Sequence, residues 1–376
     1  MSANQHTPQG RQGNFAAKTR FSLLFLFSLF LLFFLGGCVT SRSQQEEAAS
    51  SQPAASVALP GQWLIADHQE GTCTYRLVPA RFPVTRASLA ANDTLALPCD
   101  QVNDLAVVGD TALIHGPCPE ENAGDGTCWQ AVPLTGGREA QPVPLQSPVF
   151  LSGESVLYPC GNADAFVQWC RWEPHQHAPS APYPRIQPPP ETDPRRLMPR
   201  AWGPPWLLMA EENACETGGG GKVVAADGKY WLINLTTGLP SPWQVWQAVG
   251  AEPRCLHEGE SLEGYAQIDI IGWNPARPDE LAFAVRRFPA ADYDRPLEAY
   301  PFRTEIYVWR TNGDFVKVAA FSRLACGLWA PDGSGWLCTR LGESGQPDTV
   351  LFITRAGALA AQTALPEGVF VLQWMR

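Results

Sequence analysis

Beyond residue 60 the apolar positions never settle into a sustained helical period. They come in short runs of β-branched and aromatic residues, broken by Gly, Pro, Asp and Asn. The chain holds 33 Gly and 35 Pro, so many of these breaks are strong ones. Short strands with frequent turns predict an all-β sandwich, barrel or propeller. The N-terminus follows another pattern. Phe21 to Leu35 is an unbroken apolar run relieved only by Ser22 and Ser28, and Arg11, Lys18 and Arg20 precede it with no acid. As a helix it would extend about 22 Å, short of the roughly 30 Å hydrocarbon core of a bilayer. A basic stretch, a short apolar run and small residues after it predict a signal peptide over residues 1–37, not a transmembrane helix.

Repeats decide among the all-β choices. Gly272 to Phe283 and Leu328 to Leu337 share one design: Trp273 or Trp329 ends a strand, Pro275 or Pro331 opens a turn, and an apolar strand follows. Both continue alike, one through Thr304–Trp309 and Phe315–Phe321, the other through Thr349–Thr354 and Leu359–Leu365. Four strands per unit make a propeller blade. The turn Trp329-Ala330-Pro331-Asp332-Gly333 resembles the TolB-type β-propeller repeat, which implies a ring of such blades. Asn274 to Asp279 departs from that pattern with a longer turn, and further upstream only the strand rhythm continues. Second strands are expected near Trp63, Ala112, Val156, Trp206, Leu281 and Trp336, each followed by a third. That predicts a six-bladed β-propeller over residues 61–376, with seven blades or two packed β domains as alternatives. Phe370 to Trp374 reads as a first strand with nothing after it. Pairing with Gln62 to Ala66 would close the ring and remove its open edge.

Leu35-Gly36-Gly37-Cys38 resembles the bacterial lipobox. The resemblance implies diacylglyceryl transfer to the Cys38 thiol and cleavage just before it. A lipoprotein of this kind is held on the cell membrane or outer membrane, its folded part outside the cytoplasm. Each buried methylene contributes about 0.8 kcal/mol, so two or more acyl chains hold stably. Residues 38–60 follow, rich in Ser, Ala, Gln and Glu and without an aromatic residue. They predict a flexible linker, with a typical span of roughly 25 Å.

Charge narrows the partners. The whole chain carries a net charge of −10, and removing the basic leader leaves 24 basic against 37 acidic residues. An acidic surface argues against nucleic acid and against docking on anionic lipid. The chain has eleven cysteines. Apart from Cys38 they are even in number, which in an exported chain predicts disulfides. Spacing suggests Cys73 with Cys99, Cys118 with Cys128, Cys160 with Cys170, Cys215 with Cys255 and Cys326 with Cys338. Many other pairings of ten cysteines are open. No Cys-x-x-Cys occurs, against a thioredoxin-like site or a zinc ribbon.

No catalytic signature emerges. Gly333-Ser334-Gly335 lies in a blade turn, and Gly342-Glu343-Ser344-Gly345 lacks the spacing of a nucleophile elbow. Gly218-Gly219-Gly220-Gly221-Lys222 resembles a phosphate loop, but Val223 stands where Ser or Thr is required. His175 and His177 offer two imidazoles for a metal without an identifiable third ligand. Pro119 to Gly126 is acidic, yet lacks the alternating acids and terminal Glu of a calcium loop. His68, His115 and His257 are scattered. Glu173 to Trp206 contains eleven prolines and reads as an extended connection or a protruding partner site. The fourteen tryptophans suit sugar or peptide stacking, or packing between blades.

The expectation is therefore a binding or scaffolding propeller at the cell envelope, with no cofactor and a protein, peptide or glycan as ligand. The alternative is a propeller hydrolase or lyase with its site, and a calcium ion, at the central channel. Three or four carboxylates or histidines converging on the channel mouth would mark the enzyme; an apolar mouth would mark the binder.

Overall fold

The second strand of each blade is apolar at nearly every position, because neighbouring blades cover both of its faces. In blade five, Leu281, Phe283 and Val285 face blade four, while Ala282 and Ala284 face blade six. In blade one, Trp63 and Ile65 face blade six, while Leu64 and Ala66 face blade two. The two-residue period of a strand thus feeds two cores at once.

The structure is a computed structural model. It describes residues 56–69, 72–89, 94–98, 102–118, 127–134, 140–160, 168–174, 182–190, 192–211, 223–226, 228–294, 297–340 and 348–376. All belong to one unit, Ala54–Arg376. Six antiparallel sheets, one per blade, follow one another along the chain, and a further two-stranded sheet pairs Val223–Ala226 with Cys255–His257. Blade one holds Val57–Gln69, Thr72–Phe82 and Thr94–Pro98. Blade two holds Asp104–Val108, Thr111–Pro117, Thr127–Pro133 and Gln141–Val143. Blade three has three regular strands, Phe150–Ser152, Ser155–Pro159 and Trp169–Trp172. Blade four holds Leu197–Gly203, Trp206–Glu211, Tyr230–Asn234 and Leu239–Trp243. Blade five holds Ala266–Asn274, Arg277–Arg287, Arg303–Arg310 and Phe315–Ser322. Blade six holds Leu324–Trp329, Gly335–Arg340, Thr349–Thr354 and Leu359–Ala364. This is a six-bladed propeller.

Val369–Met375 supplies the inner strand that blade one lacks. Its register places Met375 opposite Gln62, Trp374 opposite Trp63 and Phe370 opposite Ala66, with a bulge between Leu64 and Ile65. Trp374 packs edge-on against Trp63 and Phe352, and its Nε1 donates to the Pro60 carbonyl at 2.7 Å. Six buried clusters fill six seams between successive blades. The cluster joining blade six to blade one sets Leu337, Val350 and Phe352 against Trp63, Ile65 and Trp374. Four of the largest fully buried side chains are Trp63, Trp129, Trp169 and Trp336, so these tryptophans serve packing.

Several details differ from the sequence expectation. The first strand begins at Val57 and not after residue 60, because Val57 and Ala58 pair with Phe82 and Arg81 across a bulge. The second strand of blade five begins at Arg277, since Asn274 and Arg277 already pair and shorten the turn. Within the proline-rich stretch, residues 182–190 form a connection: the Tyr183 N–H donates to Trp169 O at 2.9 Å, and Ile186 is buried between blades three and four. A short helix, Val245–Val249, is stopped by Gly250 in the left-handed region. Tyr265, Phe288, Tyr300 and Phe302 form a separate small core beside blade five.

The inner strands begin at one end of the ring, here called upper, and finish at the lower end. At the lower end Glu280 of blade five is buried beneath Arg355 of blade six, whose Nε donates to it at 2.9 Å, with Arg310 and Asn274 alongside. Burial pushes this carboxyl up, but the bond and charge of Arg355, helped by Arg310 and Asn274, outweigh it and hold it low. Glu305 sits between Arg287 and Lys317. Burial again opposes ionisation, and the bonds and charges of Lys317 and Arg287 outweigh it, lowering the carboxyl from 4.5 to about 2. A carboxyl depressed in the fold stabilises it fully above the unfolded value, and that contribution fades as pH falls through the folded one. The melting temperature should therefore drop as pH falls from 4.5 toward about 2, and Glu305→Gln should flatten the drop. Parallel acid-melting curves for variant and wild type would contradict this origin.

Candidate functional site

The two ends of the ring are built differently. Lower turns are mostly tight: residues 109–110, 153–154, 204–205 and 275–276 link inner to second strands. Upper connections are long, including 212–229, 244–265 and 288–302. The described cysteines lie at the upper end as well. Cys118 and Cys128 are joined with Cα atoms 5.3 Å apart, where the second and third strands of blade two meet. Cys160 and Cys170 hold the same place in blade three, at 5.7 Å. Cys326 and Cys338 are directly opposite on the inner and second strands of blade six, with Cα atoms 4.0 Å apart. Cys73 and Cys255 are each disulfide-bonded. Cys99 and Cys215, the partners that spacing suggested, lie outside the described residues.

Other sequence candidates separate in the same way. Cys38, His175, His177, residues 119–126 and residues 218–222 lie outside the described residues. His68, His115 and His257 stand on three different sheets. His115 stacks on Trp129 with centroids 5.1 Å apart, and the His257 N–H donates to Glu260. Among the described residues, no group of three or more His, Cys, Asp or Glu is placed to hold a metal.

The upper end has one feature that the sequence did not single out. An open cavity of about 750 Å³ lies between the inner strand of blade six and the closing strand. Its walls are largely aliphatic, with Leu328, Leu337 and Val350 on one side and Val369 to Val371 on the other. Phe370 lines it and is 49% exposed. The ring of His68 lies 5.3 Å from that of Phe370. The chain enters this wall through Gly368, where a Cβ atom would stand 2.6 Å from the His68 carbonyl and φ is +75°, so glycine is required.

A clamp holds the same wall. Asp67, 4% exposed, accepts from Arg86 Nη1 at 2.9 and 2.8 Å and from Gln69. Arg86 Nη2 donates onward to the Glu367 carbonyl at 2.7 Å. Arg86 comes from a segment whose Val84 and Leu89 are buried in the seam between blades six and one. The position of Phe370 was readable as a strand residue. Its exposure was not, because an alternating strand gives no sign of which face a neighbouring blade leaves open.

No family model matches the chain, and no curated protein matches it. Solved structures resemble it at low identity. The acylaminoacyl peptidase of Pyrococcus horikoshii is 13% identical with a TM-score of 0.37, the match covering 68% of this chain and 38% of that one. This chain thus spans well under half of that peptidase. The β-propeller domain of the Trilobed protease from Pyrococcus furiosus is 10% identical with a TM-score of 0.34, over 69% and 70% of the two chains. An oligogalacturonate lyase in complex with manganese is 12% identical with a TM-score of 0.37, over 79% and 73%. No activity carries over at this level of similarity.

Arg86→Ala should strand the Asp67 carboxylate in a buried position and free the Glu367 connection. The expected cost is about 1–3 kcal/mol, read as a lower denaturation midpoint in urea. An unchanged midpoint would mean that the clamp adds nothing.

Proposed function

We propose that this chain is a cell-envelope lipoprotein, anchored through Cys38, whose propeller binds a ligand at its upper end. The observation that carries the binding reading is the lining of the upper cavity between blade six and the closing strand. It is mostly aliphatic and contains two carboxylates, Asp348 and Glu367, and no histidine, lysine or arginine. That lining suits recognition of apolar surface better than acid–base chemistry. The staples at Cys118–Cys128, Cys160–Cys170 and Cys326–Cys338 support the same reading, since they tie neighbouring strands together at the upper end, and a face fixed before binding loses less entropy on binding. The first strand starts at Val57 at the lower end, away from this face.

Two measurements test the two parts. Metabolic fatty-acid labelling should mark the wild type and leave Cys38→Ser unmarked; equal labelling would sink the anchor. A photo-crosslinking residue at Phe370 should capture a cell-envelope component in living cells, while one at Asn312 in a lower turn should not. Equal capture from both ends, or none from Phe370, would count against an upper binding face.

A further inference from the structure

Resting on the binding reading above, we propose that the cavity at the ring's seam holds an extended peptide, taking one large apolar side chain with Lys or Arg beside it. Its form argues for a chain. The trough is bordered by consecutive residues of two inner strands, 325–328 of blade six and 365–371 leading into and along the closing strand. Its volume of about 750 Å³ is that of a site for a sizeable ligand, roughly 300–1,000 Å³ in general.

The floor argues for an apolar anchor. Leu328, Leu337, Val350, Val369 and Val371 line it, and Thr339 contributes a hydroxyl side chain. A sugar needs several directed polar partners, which this lining does not offer in number. The rim argues for a cation. Glu367 is an exposed carboxylate of the lining. The whole chain carries a net charge of −10, which draws cationic ligands toward it. Phe370, half exposed at the same edge, offers a ring face to an ammonium or guanidinium group.

Gly327 leaves the trough open. A bulge between Cys326 and Leu328 gives it no strand partner, and an added Cβ would meet nothing within 4 Å. A side chain there grows into free space, so Gly327→Leu should fill the trough and leave the fold intact. The test uses the full-length chain in detergent and fluorescein-labelled nonapeptides, read by fluorescence anisotropy. The peptides carry Phe or Ser at the centre and Lys or Glu on both sides. The Phe-centred, Lys-flanked peptide should bind the wild type and lose more than about tenfold in affinity with Gly327→Leu, at an unchanged melting temperature. Glu367→Lys should weaken it several-fold. Equal binding to Gly327→Leu would overturn the cavity assignment and leave the upper binding face standing. Equal affinity for Glu-flanked and Lys-flanked peptides would overturn the charge preference. If no peptide binds the wild type, the peptide proposal falls, while crosslinking from Phe370 decides the binding reading separately.

Discussion

One antiparallel strand pair, Val369–Met375 against Val57–Gln69, governs the rest of the molecule. Without it blade one would present an unpaired strand edge, and blades one and six would each lose cover from an apolar face. With it, Trp374 settles between Trp63 and Phe352, the sixth seam fills, and every second strand is buried on both sides. The register is fixed at both ends of the pair. Trp374 bonds the Pro60 carbonyl at the lower end, and the His68 N–H donates to the Gly368 carbonyl at the upper end. The Gln373 side chain then exchanges two hydrogen bonds with the backbone of Val107, tying the closing strand to blade two. The seam cavity is a product of this closure, because one of its walls is the closing strand.

The ring divides its labour between its ends. At the lower end, short turns interlock with neighbouring blades: Gly333 nests against Asn274, Gly357 against Val318, and Arg355 reaches across to Glu280. Those contacts fix the angle between blades five and six. At the upper end the connections are long, and covalent staples join neighbouring strands where the backbone leaves the sheets. Loops on a rigid scaffold are where recognition concentrates, and here three disulfides tie the strands at that end. The cap of Tyr265, Phe288 and Tyr300 follows the same logic: Tyr300 Oη accepts from the Asp294 N–H at 2.6 Å and donates to the Asp292 carbonyl at 2.8 Å, ordering a long connection from within.

Much of this was legible in the sequence, because a propeller writes its period locally. The Trp-x-Pro-Asp-Gly turn located blade six, continuous apolar runs located each second strand, and the unpaired terminal strand implied closure. What stayed hidden depends on distant pairings. Glu280 reads as an ordinary polar residue beside a turn, and only the ring brings Arg355 to it. Val84 and Leu89 sit in a polar stretch with no strand period, yet fold back into the closing seam. The proline-rich stretch names no partner of its own, and residues 182–190 are held by Trp169 and the cleft around Ile186. The cavity leaves no mark in the sequence because its two walls face each other only once the ring is shut.

Removing residues 369–376 tests this dependence most directly. The truncated chain should melt at a clearly lower temperature than the full chain and associate through the exposed edge of Val57–Gln69, as followed by calorimetry and light scattering. A truncated chain that stays monomeric and melts with the full-length protein would contradict closure by this strand, and with it the origin of the cavity.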